Sequence, residues 1–403
     1  MKNQILIGLA LAASLFTSCG DDGTSDIIIT DNSTTTTNNN DNNNGGETIL
    51  LKGNYSSDLV LDAKNQYILD GPVVMEAGTT MQIPAGMTIK ANKGTEVYLA
   101  ISQDAKIVAE GTAAQPIVFT SNSTAPNAGD WGGLILLGKA PTNVVDVTTG
   151  ATATSEIASL PYGGTVTDDS SGTLEYVRVE YSGGKVDGQS ENNGISFYGV
   201  GNGTIVNYIQ AFEGLDDGVE FFGGTVNASY ISVVNSDDDS VDWTEGYNGT
   251  LTNVYVKQNL DGDKAFECDG YNTDVGNNSN PINYSAPNVS NVTIEGLGSA
   301  NGKEAIRLRA GTKGIFDNVV IKGYQEGFDL DGDADVAGST NDNPTGQGVI
   351  DGLLQATNVL FTDVTTEVKN DTGFTFNDTD FVTVNAAATG TDYATWGAGW
   401  TRN

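Results

Sequence analysis

The chain has 403 residues, of which 52 are acidic and 18 are basic, so its formal net charge is −34 at neutral pH. This charge argues against nucleic acid as a partner, because phosphate binding needs clustered lysine and arginine side chains. The chain has no histidine, which excludes histidine-ligated zinc sites, Ser-His-Asp triads and Cys-His dyads. Divalent cations and neutral or cationic ligands remain as partners.

The N-terminal segment has the pattern of an export signal. Residues 5–16 form an apolar run that is too short to span a bilayer as a helix, and Leu15-Phe-Thr-Ser-Cys19 closes it. The closing run resembles the lipobox of bacterial lipoproteins, which implies a signal peptide over residues 1–18 and a lipid on Cys19. Gly20-Asp-Asp22 resembles the surface-export signal of lipoproteins in the Bacteroidota. The expected location is the outer membrane, with the protein anchored by lipid and facing the cell exterior.

Residues 19–47 are predicted to be the lipidated cysteine followed by a disordered tether. The segment is rich in Asn and Thr, as in Thr34-Thr-Thr-Thr-Asn-Asn-Asn40, and has no apolar periodicity. Because such a segment cannot bury a core, it would hold the folded part away from the lipid. The remaining residues, 48–403, are predicted to form one domain.

Short strand-like runs separated by turn residues fill this domain. Runs of about five residues, such as Ser229-Tyr-Ile-Ser-Val-Val234 and Asn253-Val-Tyr-Val-Lys257, are rich in Val, Ile and Tyr and too short for helices. Three such runs in each repeat of 22–24 residues favour a parallel β-helix, whose coils stack at about 4.8 Å. Asn or Ser opens most runs, which predicts a ladder of stacked polar side chains, although Asn also tolerates turn conformations.

Three stretches interrupt the repeat and are predicted to be loops inserted on the solenoid. They lie near residues 140–172, which are rich in Thr, Ala, Ser and Gly, near residues 271–288, which are rich in Asn, and near residues 334–349, which are rich in Asp, Asn and Gly. Loops inserted on a solenoid commonly cluster on one face and carry binding contacts.

An acidic residue recurs at one position when five segments of the chain are aligned. The segments begin at Asp217, Asp239, Asp263, Glu304 and Glu326, and the steps between them are 22, 24, 41 and 22 residues. Equivalent positions lie above one another in a β-helix, so these side chains are expected to form an acidic column. Like charges at strand spacing repel, and something must relieve the repulsion.

Calcium is the predicted cofactor, because it takes six to eight oxygen ligands and a carboxylate-rich turn could supply them. The candidate ligands are Asp216, Asp217, Asp238, Asp239, Asp261, Asp263, Asp329, Asp331, Asp333 and Asp335. The last four alternate with other residues in a run that suits a calcium loop, although it departs from the EF-hand pattern. Two alternatives stay open: a solvated acidic surface that holds no ion, and a saccharide-binding or catalytic cleft.

Several runs resemble those of a known family. Residues 71–90, 107–121 and 129–138 resemble the opening coils of bacterial surface and secreted proteins with the pectin-lyase-like right-handed β-helix fold. Trp396-Gly-Ala-Gly-Trp-Thr401 resembles the C-terminal ending of such lipoproteins from the Bacteroidota. The resemblance spans roughly residues 66–401 and implies an all-β, right-handed parallel β-helix. In similar proteins, polysaccharide lyases use calcium with a Lys or Arg base, and glycosidases have a His-bearing motif that this chain lacks.

Candidate catalytic residues are few. By the resemblance to lyases, Lys264, Arg307 and Arg309 are the only plausible bases near the acidic register, although pairing with carboxylates is the simpler role for all three. Glu220 and Asp242 could form an inverting hydrolase pair. Acidic residues are so common in this chain that such a pair carries little information.

Trp243 and Tyr247 are the predicted ligand-binding residues. Aromatic faces stack on sugar rings, and both residues fall near the acidic turns. Trp243 aligns with Glu267 in the acidic register, and a position that accepts Glu is expected to face water. The alternative is that these aromatic side chains fill the core.

These patterns predict a monomeric cell-surface lipoprotein whose calcium-binding β-helix binds a glycan or a surface protein without catalysis. One alternative is a calcium-dependent polysaccharide lyase, which should show a groove with calcium and a cation within reach of one sugar. The other is a structural or adhesive surface-layer protein whose inserted loops make the contacts. A binding protein should show an exposed row of aromatic side chains.

Overall fold

Parallel strands wound into coils dominate the molecule. The computed structural model describes residues 46–185, 192–273, 283–332 and 344–403. Within these ranges, 22 strands form one continuous parallel sheet and two more pair in a short antiparallel hairpin. The chain therefore folds as the predicted right-handed parallel β-helix. The described part of the chain contains no helix that is long and apolar enough to cross a membrane. Cys19 and the predicted tether lie outside it, apart from residues 46 and 47.

The strands are short and follow one another around the coils. In chain order they are β1 (Thr48–Tyr55), β2 (Leu59–Val60), β3 (Gln66–Met75), β4 (Thr80–Ile83), β5 (Thr88–Ala91), β6 (Gly94–Ile101), β7 (Lys106–Glu110), β8 (Ile117–Ser121), β9 (Trp131–Leu137), β10 (Ala153–Thr154), β11 (Pro161–Tyr162), β12 (Gly172–Glu180), β13 (Ile195–Tyr198), β14 (Ile205–Phe212), β15 (Val219–Phe222), β16 (Asn227–Val234), β17 (Val241–Thr244), β18 (Thr250–Lys257), β19 (Phe266–Asp269), β20 (Asn288–Glu295), β21 (Glu304–Arg309), β22 (Gly314–Asp331), β23 (Leu354–Asp371) and β24 (Val382–Val384). The short helices are α1 (Thr345–Ile350), α2 (Asp378–Phe381) and α3 (Tyr393–Trp396).

Each complete coil contributes to three faces of the β-helix. Face 1 contains the first half of β16 and its partners, face 2 contains the second half of β16, and face 3 contains β17. On three successive coils the inward residues are Val206, Ala228 and Leu251 on face 1, Ile209, Ile231 and Val254 on face 2, and Val219, Val241 and Phe266 on face 3. All of them are buried, so stacked apolar side chains form the core along the whole solenoid.

One residue per coil turns the corner between faces 1 and 2 in the left-handed conformation. The corner residues have φ between 50° and 61° and are Tyr176, Tyr208, Tyr230, Asn253, Asn291, Asn318 and Asn358. The predicted polar ladder is confirmed at one step between these corner residues, where Asn318 Nδ2 donates to Asn291 Oδ1 at 2.8 Å. Asn also tolerates this backbone conformation. The three tyrosine rings stack instead, and because their faces cover one another they expose mainly ring edges.

The last residues of the chain run back along face 2. This segment, residues 385–403, is called the C-terminal strap below. The Tyr393 ring stacks on Tyr255 at 3.7 Å, and Trp400 packs edge-on against the corner ring of Tyr176. Near the end, Arg402 lies over the Phe212 ring at 4.3 Å. The closing aromatic motif therefore attaches the strap to several coils.

The predicted insertion near residues 140–172 lies between β9 and β12 and covers part of face 3. Its Tyr162 ring packs on Tyr198 at 5.0 Å, and Tyr198 stacks on Phe222 at 3.9 Å. This insertion is called the wall loop below. The other two predicted insertions fall partly outside the described residues.

Candidate functional site

Charged side chains line face 3 in two parallel columns. The strand column points outward from face 3 and consists of Ser196, Glu220, Asp242, Glu267, Arg307, Asp329 and Lys369. The turn column lies where the chain enters the same face and consists of Asp217, Asp239, Lys264, Glu304 and Glu326. Both columns are continuous across the long step in the repeat.

The register of one coil differs by one residue from the alignment of acidic residues. Val241 pairs with Phe266, so this step is 25 residues, and Phe266 pairs with Ile306, so the next step is 40. Lys264, rather than Asp263, therefore follows Asp239 in the turn column, and its backbone N–H donates to Asp239 Oδ1 at 2.7 Å. The predicted alignment is wrong at this coil because inward apolar side chains, and not acidic ones, set the register.

Trp243 and Tyr247 do not face water, so the predicted exposure of Trp243 is wrong and neither ring is placed to stack on a sugar. Both side chains are 0% exposed. Trp243 Nε1 donates to Thr312 Oγ1 at 3.1 Å, and the Tyr247 hydroxyl donates to the Val226 carbonyl at 2.8 Å. The cause is the register shift, which places Trp243 beside Cys268 instead of Glu267. A slip of one residue moves a strand side chain to the opposite face of the sheet.

The middle of the strand column is neutralised by ion pairs. Lys264 Nζ lies 3.1 Å from Glu267 Oε1, and Arg309 Nη2 lies 2.8 Å from Glu267 Oε2. Arg309 Nε also contacts Asp269 Oδ1 at 2.6 Å. Each carboxylate in this part of face 3 therefore has a cationic partner.

Lys264 is a poor general base in this setting. Burial alone would lower its pKa, but the charges of Asp239, Glu267 and Asp263 outweigh burial and raise the pKa above its ordinary value. The pKa of Arg309 is raised in the same way, since the charges of Asp269 and Glu267 outweigh its burial. Proton abstraction by either side chain is therefore unfavourable.

The C-terminal end of the columns is also ion-paired. Arg307 Nη2 contacts Asp331 Oδ2 at 2.5 Å, and Lys369 Nζ lies 3.1 Å from Asp329 Oδ2 and 3.3 Å from Glu326 Oε2. Asp329 and Asp331 belong to strand β22 rather than to a loop, and oxygens of Asp329, Glu304 and Glu326 lie within 4.8 Å of one another, so calcium binding by Asp329 and Asp331 stays a prediction. The other two members of that predicted run, Asp333 and Asp335, lie outside the described residues.

The N-terminal part of the columns has a different character. Oxygens of Asp217, Glu220 and Asp242 lie within 4.8 Å of one another, and these three residues are called the acidic trio below. In the described ranges, no Lys or Arg forms an ion pair with any of them. Asp242 Oδ1 is buried and has no hydrogen-bond partner among the residues that the structure describes. Glu220 accepts one hydrogen bond from Asn193 Nδ2 at 2.6 Å.

Each carboxyl group of the acidic trio has a pKa well above its ordinary value. Burial is the main cause for all three, and repulsion by neighbouring carboxylates adds to it. For Asp217 these neighbours are Asp242 and Glu220, and for Asp242 they begin with Glu267. The Arg309 charge offsets only part of the effect on Asp242. A proton or a bound cation would relieve the repulsion.

Of the trio, only Asp217 is a predicted metal ligand, and five other predicted ligands lie in the neighbouring turns. Asp216, Asp217 and Asp238 bring oxygens within 4.8 Å of one another, and so do Asp238, Asp239 and Asp263. Lys185 Nζ lies 3.5 Å from Asp216 and 4.0 Å from Asp238. Asp261 is exposed in the same turn region, outside these two groups.

The wall loop is fixed beside the trio by Glu245, a residue that sequence reasoning missed. The Glu245 carboxylate is buried and accepts hydrogen bonds from the Tyr162 hydroxyl at 2.5 Å, Thr142 Oγ1 at 2.9 Å and Asn272 Nδ2 at 3.2 Å. The charge of Glu156, in the same loop, contributes to the raised pKa of Glu220. Because Tyr162 and Glu245 are 83 residues apart, no local spacing could have indicated this contact.

In a metal-chelating buffer, we expect the free energy of unfolding to fall as the pH rises from about 5 to 8. Folded carboxyl groups with raised pKa values retain protons that the unfolded chain has released. The contribution of these groups to the free energy of unfolding is fully present when the pH is below their pKa values in the unfolded chain. It is lost as the pH rises through their pKa values in the folded protein. Glu304 contributes too, since burial and its hydrogen bond with Asp329 raise its pKa to about 8.

Urea unfolding in EDTA at several pH values measures this dependence. The triple variant Asp217→Asn/Glu220→Gln/Asp242→Asn should have a much smaller slope than the unaltered protein. A matched triple variant of exposed carboxylates, Glu47→Gln/Glu110→Gln/Asp351→Asn, should keep the slope. A stability that is flat or rises with pH in the unaltered protein would contradict the raised pKa values.

Comparison with known proteins gives one family and one structural likeness. A family model described as a pectate-lyase like beta helix domain matches residues 53–401. The crystal structure of the catalytic unit of thermostable GH87 alpha-1,3-glucanase from Streptomyces thermodiastaticus strain HF3-3 is similar with a TM-score of 0.40 and 10% sequence identity. The match covers 88% of this chain and 64% of that chain, so this chain spans less than two thirds of the glucanase unit. None of the curated proteins compared with the chain matches it.

Proposed function

Because the chain belongs to the pectate-lyase-like β-helix family, we propose that it binds a glycan through calcium held at the acidic trio, without cleaving it. One observation carries this proposal. The strand column is ion-paired from Glu267 onward, whereas Asp217, Glu220 and Asp242 have no ion-pair partner among the described residues. Ion pairs neutralise the rest of the strand column, so the N-terminal part of that column remains as a negatively charged site.

Calcium suits the donor set of the trio. The three carboxylates supply hard oxygen ligands, which this cation prefers, and at least one of these oxygens, Asp242 Oδ1, is buried without a hydrogen-bond partner. Bound calcium would supply the positive charge that the trio lacks. Calcium needs six to eight oxygens, so glycan hydroxyl or carboxylate groups and water would complete its shell. This requirement makes the glycan contact dependent on the cation.

The proposal of binding without catalysis rests on two features of face 3. Lys264, Arg307 and Arg309, the three candidate bases, are committed to ion pairs that keep them protonated. The trio oxygens lie within 4.8 Å of one another, which is closer than the separation of about 6.5–9.5 Å in inverting glycosidases and near the about 5–5.5 Å of retaining ones. Neither a lyase base nor a water-activating pair is therefore favoured.

The cellular setting of the proposal comes from the sequence. The signal-like residues 1–18 and the lipobox-like ending at Cys19 support a lipid anchor, and Gly20-Asp-Asp22 supports export to the cell surface. A glycan site on the cell exterior would have access to extracellular polysaccharide. The binding domain would be separated from the membrane by the tether.

Binding to immobilised polysaccharides, with calcium or with EDTA, tests the proposed function. We expect retention on at least one polysaccharide in calcium and its loss in EDTA. The variant Asp217→Asn/Glu220→Gln/Asp242→Asn should lose retention in calcium, since it lacks the cation ligands. The size of the polysaccharide should be the same before and after incubation with the protein, which would show that it is not cleaved.

The matched variant Glu47→Gln/Glu110→Gln/Asp351→Asn changes the net charge by the same amount and should bind as the unaltered protein does. Retention that persists in EDTA, or in the trio variant, would contradict the calcium-dependent site. Shortened or unsaturated products would support a lyase or a hydrolase instead.

A further inference from the structure

A groove lies on face 2, between the sheet and the C-terminal strap. Its volume is about 600 Å³, which falls within the range of small-molecule sites. Because the strap covers the column of side chains that includes Tyr255 and Thr293, the neighbouring column remains open as the groove floor. The groove is on a different face from the acidic trio.

Three stacked charged residues form the floor of this groove. Lys257, Glu295 and Lys322 occupy the same position on successive coils. Glu295 Oε1 lies 3.1 Å from Lys322 Nζ, and Glu295 Oε2 accepts a hydrogen bond from the Tyr255 hydroxyl at 2.9 Å. Lys257 is half-buried and forms no ion pair with any residue that the structure describes. Its ammonium group is therefore available for a ligand.

The strap supplies the side wall of the groove. Asp392 is exposed there, next to the half-buried Tyr393 ring, and the hydroxyl groups of Thr389 and Thr391 border the same space. The backbone N–H of Thr391 is fixed to the sheet by Thr293 Oγ1 at 3.0 Å. The strap, which forms this wall, is thus fixed to the sheet.

The chemistry of the lining favours an uncharged, hydroxyl-rich ligand. Among the charged side chains of the lining, Lys257 and Lys322 balance Glu295 and Asp392, in a chain of net charge −34. A free anion would be repelled by the protein as a whole. Ammonium groups donate hydrogen bonds to sugar hydroxyl groups and neighbouring carboxylates accept hydrogen bonds from them, and a tyrosine ring offers an apolar surface to a sugar ring.

We propose that this groove binds a short uncharged oligosaccharide, in contact with Lys257 and with Tyr393 of the strap, and that it does so without calcium. The site is separate from the acidic trio and does not depend on the function proposed for it. A protein with both sites would hold two segments of glycan at once, and two linked contacts raise the overall affinity above that of either alone.

Titration calorimetry in EDTA tests the groove, with cellotetraose, xylotetraose, mannotetraose and maltotetraose as probes. We expect at least one probe to bind, and Lys257→Gln to weaken its affinity about tenfold or more. Asp392→Asn should weaken binding as well, because it removes an acceptor from the opposite wall. Both residues are partly or fully exposed, so the variants should unfold at the same midpoint as the unaltered protein.

Two controls separate this site from the acidic trio. Lys52→Gln removes a lysine from the first coil. Asp217→Asn/Glu220→Gln/Asp242→Asn removes the carboxylates of the acidic trio. Both variants should bind the probe in EDTA as tightly as the unaltered protein does. The proposal is overturned if none of the four probes binds in EDTA, or if Lys257→Gln binds as tightly as the unaltered protein. Binding that appears only in calcium and disappears in the trio variant would overturn it while supporting the function proposed for face 3.

Discussion

Replacement of Lys264 by glutamine is expected to lower the free energy of unfolding by about 3–5 kcal/mol at neutral pH. The Lys264 side chain is almost fully buried, with 4% of the residue exposed, and its ammonium group lies between Asp239, also 4% exposed, and Glu267. Without this cation, Asp239 keeps no ion-pair partner among the described residues, whereas Glu267 keeps Arg309. The large cost comes from the unpaired buried charges and not from the net strength of the pairs.

Urea unfolding in EDTA would measure the loss, with Lys52→Gln as the matched control. The Lys52–Asp70 pair is 3.6 Å long and its side chains are 41% and 31% exposed, so its removal should cost about 0–1 kcal/mol. The loss for Lys264→Gln should shrink at lower pH, because the neighbouring carboxylates can then take up protons. Equal small losses in both variants would show that Lys264 is not a buried counter-ion.

The architecture could be predicted from the sequence because a β-helix repeats one simple pattern. Short runs such as Asn253-Val-Tyr-Val-Lys257 alternate inward and outward side chains, and turn residues separate them at a regular spacing. Each coil contacts only its neighbours, so no distant contact is needed to recognise the fold. The corner position of Asn253, Asn291 and Asn318 was visible for the same reason.

The register of the acidic turns could not be predicted because two kinds of repeat compete there. Aligning the carboxylates places Asp263 after Asp239, whereas packing of the apolar core pairs Val241 with Phe266 and places Lys264 there. Burial of Phe266 determines which alignment forms, since a slip of one residue would expose the apolar side chains. An alignment on Val219, Val241, Phe266 and Ile306 would have found the correct register.

The division of the columns into paired and unpaired parts also needed the structure. The sequence shows an excess of aspartate, and it identified the residues that gather on face 3, but it does not show which ones meet a cation. Arg309 lies 42 residues from Glu267 and 40 from Asp269. The contact between Tyr162 and Glu245 and the path of the C-terminal strap depend on distant parts of the chain in the same way.

Calcium is expected to stabilise the folded protein strongly. A cation that binds only the folded state adds about 2.7 kcal/mol at a concentration 100 times its Kd and about 4.1 kcal/mol at 1,000 times its Kd. The effect should be larger at pH 8 than at pH 5, because protons compete for Asp217, Glu220 and Asp242, whose pKa values are raised. Magnesium should have little effect, since it demands a smaller octahedral shell and dehydrates reluctantly.

Thermal unfolding in EDTA, in calcium, and in magnesium at equal ionic strength tests the central claim most directly. We expect the unfolding midpoint to rise by several degrees in calcium alone. The rise should disappear in Asp217→Asn/Glu220→Gln/Asp242→Asn and persist in Glu47→Gln/Glu110→Gln/Asp351→Asn. An unchanged midpoint in calcium, or an equal rise in the trio variant, would contradict a calcium site at these three carboxylates.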